Sequence, residues 1–185
     1  MKAYKISIGL FGIFLFVSCL DSERKGYYAE IDKMILNLDS LDNLHKQLPN
    51  DSFAIIKKLA LDIEKDIKTY FYEDTVDFEF ARKMNRLKGI RKGSDYISLK
   101  RVFLDTIFVF QRAQLLTLRE DIEKGSGQRD QYRNFIDSER ENMTAIINAF
   151  NDYQKRFGSM RSEYYAISDV IIERVKPFKE KALLQ

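Results

Sequence analysis

The stretch YRNFIDSERENMTAIINAFNDYQKRF, residues 132–157, places Tyr132, Ile136, Glu139, Met143, Ile146, Phe150, Tyr153 and Phe157 four and three residues apart in strict alternation. That spacing lines them up on one side of an α-helix, as the seam of a coiled-coil-like packing. Only Glu139 interrupts the apolar run. The stretch holds neither proline nor glycine, so the helix is expected to run unbroken to Gly158. Ser159 then caps a further helix carrying Met160, Tyr164, Ile167, Ile171, Arg174 and Phe178, with a bend at Pro177.

On the other side of this stretch, Gly125-Ser126-Gly127 reads as a turn. A fourth helix precedes it, capped by Ser94 or Asp95 and running to about Lys124. Tyr96, Leu99, Phe103, Ile107, Phe110 and Gln114 form one stripe of that helix, with Val102, Val109, Ala113 and Leu116 beside it. So wide an apolar sector predicts a central, deeply buried helix. The fourth and fifth helices then make a long hairpin.

Nearer the N-terminus, Tyr27, Ile31, Met34, Leu38, Leu41, His45 and Leu48 repeat the four-three spacing up to Pro49. Asn50-Asp51-Ser52 supplies capping chemistry for a second helix with Ile56, Leu59, Ile63, Ile67 and Tyr70 inward. A third, about Val76 to Lys88, starts from a cap at Asp74 or Thr75 and ends near Gly89. The expected fold is all-α: an antiparallel bundle of five or six helices over residues 27–178, with 179–185 as a frayed tail.

Composition agrees with long helices, since 185 residues include only two prolines and eight glycines. The 24 aromatics, 14 Phe and 10 Tyr, supply large apolar area for a core. The single cysteine, Cys19, excludes an internal disulfide. Basic and acidic residues nearly balance at 31 to 28, which argues against nucleic-acid binding.

The first 19 residues, MKAYKISIGLFGIFLFVSC, begin with Lys2 and Lys5, continue with an apolar run from Ile6 to Val17, and end in Ser18-Cys19. The run of 12 residues is too short to span a bilayer, which takes about 20. Phe16-Val17-Ser18-Cys19 resembles the lipobox of bacterial lipoproteins, with Phe16 where leucine is usual. The resemblance implies a signal peptide at 1–18, cleavage before Cys19, acylation of that cysteine and attachment to a membrane through lipid. Acylation also removes a lone thiol from an oxidising compartment. The polar segment 19–26 would be a short tether. Leu20, where aspartate marks inner-membrane retention in enterobacterial lipoproteins, points by the same resemblance to the outer membrane rather than the inner. Which face of the membrane the chain occupies stays open.

Sites for chemistry are scarce. His45 is the only histidine, and Asp42 is the only carboxylate at helical spacing from it. A di-iron centre, a haem attachment run, a Ser-His-Asp triad, a phosphate-binding glycine loop and an EF-hand all lack their residues. The expectation is therefore no enzyme, no metal and no cofactor, with His45 in a packing or edge position and Leu44 beside it turned into the core instead. Glu139 is expected to meet an Arg or Lys of a neighbouring helix or to be exposed at a gap in the bundle.

One charge cluster stands out. Between Arg82 and Arg101 lie eight basic residues and a single acid, Asp95. Arg82, Arg86, Arg91, Lys92, Lys100 and Arg101 are the candidate contacts for an anionic lipid, an acidic envelope protein or a polymer. The functional expectation is a lipid-anchored helical interaction or scaffold module of the cell envelope. The alternative is a protein that encloses a small apolar or anionic ligand between aromatic-rich helices. Seam residues could also pair between chains, which leaves a homodimer open.

Overall fold

The structure is a computed structural model that describes the backbone of residues 4–49, 52–75 and 77–184, and the side chains of 23–49, 53–75 and 77–184. The side chains of the lipobox, including Cys19, lie outside the described residues, as do Asn50, Asp51 and Val76. The chain is all-helical, with no strand among the described residues. Its four α-helices are α1 (Tyr4–Gln47), α2 (Ser52–Tyr70), α3 (Phe78–Lys124) and α4 (Tyr132–Leu183), with a 3₁₀ turn at Arg129–Gln131 before α4.

Four helices replace the expected five or six because three glycines do not break the chain. Gly89 and Gly93 lie inside α3, and Gly158 lies inside α4. A glycine costs a helix interior only about 1 kcal/mol, which the seam residues on both sides outweigh. Pro177 likewise sits within α4, leaving the carbonyl of Glu173 without its usual helical donor. The helix nevertheless continues to Leu183, through the segment expected to fray. Residues 19–26, expected as a tether, belong to the helical backbone of α1.

Real breaks occur where the backbone demands them. Gly125 and Gly127 have φ of 63° and 71°, a region closed to most side chains, and they reverse the chain between α3 and α4. Pro49 follows the end of α1. At the start of α3 the cap is Asp77, not Asp74 or Thr75: its Oδ1 accepts from the backbone N–H of Glu79 at 2.9 Å and of Phe80 at 3.1 Å. Those bonds to backbone N–H groups, with the Arg174 guanidinium beside them, hold the Asp77 carboxyl below the usual range.

The helices build two compact units, one from 1–44 with 106–147 and one from 45–105 with 148–185. In the first, Ile31, Met34 and Leu38 of α1 are buried, as are Phe108, Leu115 and Ile122 of α3 and Ile136, Met143 and Ile146 of α4. In the second, Phe53, Ile56 and Ile63 of α2 join Leu87, Ile97 and Leu104 of α3 and Phe150, Tyr153, Phe157 and Ile171 of α4. Edge-on aromatic pairs such as Phe53 with Phe157, 4.5 Å between centroids, fill this second core.

The α4 seam is the one read from residues 132–157, and it continues through Met160, Tyr164, Ile167 and Ile171. The α3 seam is different. Its inward residues are Leu87, Ile90, Ser94, Ile97, Arg101, Leu104, Phe108, Gln111, Leu115 and Ile122. The stripe expected to be most buried faces out, with Leu99 and Val109 each 71% exposed and Tyr96, Phe103 and Phe110 about half exposed. Three polar residues in the true seam, Ser94, Arg101 and Gln111, disguise it as the solvent side.

Candidate functional site

In the second unit, α3 and α4 border a groove of about 540 Å³. The space is open for a reason of sequence: Gly89 and Gly93 on α3 and Ser159 on α4 carry little or no side chain where a bulky one would fill it. No heavy atom lies within 4 Å of where a Cβ would stand on either glycine. Ile90, Ile97 and Met160 give it an apolar base, and Arg86, Lys155 and Arg156 line it with Asp152 and Glu163, Arg156 paired with Asp152 and Arg86 with Glu163.

The six predicted basic contacts divide by environment. Arg82 and Arg86 are exposed but paired, Arg82 with Glu79 at 2.8 Å and Arg86 Nε with Glu163 Oε1 at 2.5 Å. Arg91 is partly buried against Glu64 at 2.8 Å. Lys100 lies over the rings of Tyr96 and Phe103 at 5.6 and 5.7 Å. Lys92 is exposed and makes no ion pair among the described residues. Arg101 is an interior residue, 9% exposed, with Nη1 donating to the Tyr153 hydroxyl at 3.3 Å and the Leu48 carbonyl at 3.4 Å. It is therefore not a surface contact. Lys155 and Arg156 of α4, which no local cluster marked in the sequence, reach the same groove as Arg86 because the two helices meet there.

A second polar cluster lies deeper in this unit. His45 is fully buried, and its Nε2 is 2.8 Å from Asp105 Oδ1. Its ring meets Tyr153 and Phe150 edge-on, with centroids 5.4 and 6.2 Å away. His45 thus turns inward, while Leu44, expected to do so, is substantially exposed. Burial pushes the Tyr153 hydroxyl pKa up, against the opposing pull of Arg101. The carboxylate that meets His45 comes from α3, 60 residues away, where helical spacing gives no sign of it.

In the first unit, Glu139 meets an amide instead of the expected cation: buried Gln111 donates to its Oε2 at 2.5 Å, and Asn142 does so at 3.3 Å. Glu30 binds Arg133 and Arg140, and those guanidinium groups, Arg133 first, hold its carboxyl below the usual range. Asp137, held by the same two arginines, is lowered likewise.

Among the described residues no group of three or more His, Cys, Asp or Glu is arranged to hold a metal ion. No described helix is long and apolar enough to cross a membrane. Compared with known proteins, the chain matches no family model, no curated protein and no solved structure.

Proposed function

We propose that this chain is a lipid-anchored, non-enzymatic helical interaction module of a bacterial cell envelope, attached through Cys19 and folded as an antiparallel bundle. The carrying observation is the N-terminal run, in which two lysines, a 12-residue apolar stretch and Ser18-Cys19 follow one another in the order of a lipoprotein signal. Two or more acyl chains on one cysteine suffice for stable attachment without a spanning helix. An antiparallel course is supported by the pairs Asp32 with Arg119 and Asp39 with Arg112, which advance along α1 while retreating along α3. The groove of the second unit, with Arg86, Lys155 and Arg156 along it, together with the exposed Lys92 of α3, is the surface offered to an acidic partner.

The test compares the full chain with Cys19→Ala in a bacterial host. Lipid attachment predicts that the variant stays unprocessed, migrates as the larger precursor and incorporates no labelled fatty acid. A variant that matches the parent in size and labelling removes the anchor from the proposal. For the surface, Lys92→Glu with Lys155→Glu is expected to abolish capture of an acidic envelope partner without lowering the melting temperature.

One observation favours a second reading. The groove volume falls within the roughly 300–1,000 Å³ of small-molecule sites. A small anionic ligand held there would raise the melting temperature, and Gly93→Leu, which fills the floor, would remove that rise.

A further inference from the structure

The outward side of α3 between Leu99 and Thr117 does not look like a solvated surface. Leu99, Val102, Thr106, Val109, Ala113 and Leu116 are spaced three and four residues apart, and all six are exposed. They form a second heptad seam on the side opposite Ile97, Leu104, Phe108 and Leu115. A helix apolar on all sides is one that is covered on all sides. The exposed halves of Phe103 and Phe110 alone add roughly 200 Å² to this seam. With Leu99, Val102, Val109 and Leu116 the patch exceeds the few hundred Å² common on monomers and approaches the roughly 800 Å² per partner of a stable dimer.

We propose that this face pairs with the same face of a second copy of the chain, with the two α3 helices antiparallel about a two-fold axis between Thr106 and Val109. The register follows from the residues. Antiparallel seams set position 99 against 116, 102 against 113 and 106 against 109 of the other copy. Leu then meets Leu at both ends, and each Val faces a small Ala or Thr, so large side chains fill the space that small ones leave. On one border of the seam Asp105 faces Arg112 of the other copy, and by symmetry Arg112 faces its Asp105. Both side chains retain free surface beside their internal partners, 55% for Asp105 next to His45 and 42% for Arg112 next to Asp39. On the other border Phe103 faces Phe110. Two-fold symmetry requires such self-complementarity, and the antiparallel register satisfies it in volume and in charge. In a parallel pair Thr106 would face Thr106 and Ala113 would face Ala113, leaving gaps.

A bilayer surface is the less suitable occupant, because helices that lie on membranes border their apolar face with lysine and arginine. Here the borders carry Ser98, Asp105 and Arg112 on one side, where the acid offsets the arginine, and Phe103, Phe110 and Thr117 on the other, with Lys100 drawn over the Phe103 ring. With both copies anchored in one leaflet, the dimer lays α3 along the membrane plane. The pairing itself does not depend on the anchor.

The test is sedimentation velocity and light scattering on the full-length chain in detergent micelles. The parent chain is expected to be a dimer, and Val109→Glu a monomer whose dimer Kd is weakened by more than about 100-fold. Because Val109 projects outward, the melting temperature of the monomer unit stays unchanged. The register is read from charge pairs: Val102→Glu and Ala113→Lys each weaken the dimer, and together they restore it because the two positions meet across the axis. In a parallel pair the double variant would set like charges against each other. A parent chain that is monomeric at its highest soluble concentration, or a Val109→Glu variant that remains dimeric, overturns the interface. A double variant no tighter than the single ones overturns the antiparallel register.

Discussion

His45 and Arg101 show how a polar residue enters a helical core. Each occupies a seam position, and each meets oxygen acceptors: Asp105 at the imidazole Nε2, Leu48 and Tyr153 at one guanidinium nitrogen. A buried polar group that loses its partner costs about 1–3 kcal/mol. Asp105→Ala should therefore lower unfolding free energy by about that amount in urea titration, although Asp105 is itself largely exposed. Arg101→Met, which keeps the length of the side chain, should cost a similar amount, and any loss of partner binding should come with a lower urea midpoint. A variant that loses binding at full stability would return Arg101 to the surface role. The spacing of His45 on its seam was legible in the sequence, but its burial in place of Leu44 was not. Asp105 was not legible, because a contact between residues 60 apart leaves no local periodicity.

At the level of elements, α3 carries the main departure from expectation. Both of its sides have the four-three period, and the more apolar one faces out. Periodicity finds a seam but cannot say which of two seams the rest of the chain covers. That choice belongs to the elements packed against it: Tyr153 and Glu139 of α4 accept from Arg101 and Gln111, while the Ser94 hydroxyl donates within α3 to the Arg91 carbonyl. Glycines were overread as breaks for a related reason: residue preference is a small energy, and packing on either side exceeds it. The glycines therefore separate into two classes by experiment. Gly89→Ala and Gly158→Ala have open space at the new Cβ and ordinary helical backbone, so each should raise stability by about 0.5–1 kcal/mol in thermal melts. Gly125→Ala should lower it, because φ is 63° and the new Cβ would stand 2.9 Å from the Arg129 guanidinium.

Across the whole molecule, carboxylates held by arginines set the response to acid. Asp77, Glu30 and Asp137 all have folded pKa values below their ordinary 3.8 or 4.5. The unfolded chain therefore binds protons more readily, and stability from these groups is present above the ordinary values and lost as pH falls through the lowered ones. Urea midpoints should accordingly hold near pH 6 and drop below about pH 4, and Arg133→Gln should flatten part of that drop by freeing Glu30 and Asp137. Since the pairs are only partly buried, added salt should shrink the effect.

By itself the sequence determined the all-helical class, the α4 seam from Tyr132 to Ile171, the Gly125-Ser126-Gly127 turn and the lipoprotein-like start. Each is a local property, written in period, in backbone freedom or in the order of a short run. Tertiary structure alone decided which side of α3 is covered, that Gly89 and Gly158 are crossed without a break, and that Arg101 points inward while Lys155 and Arg156 join Arg86 at one groove. Those outcomes depend on which helices meet, and the energy of a meeting face is a sum over distant residues that no local window contains.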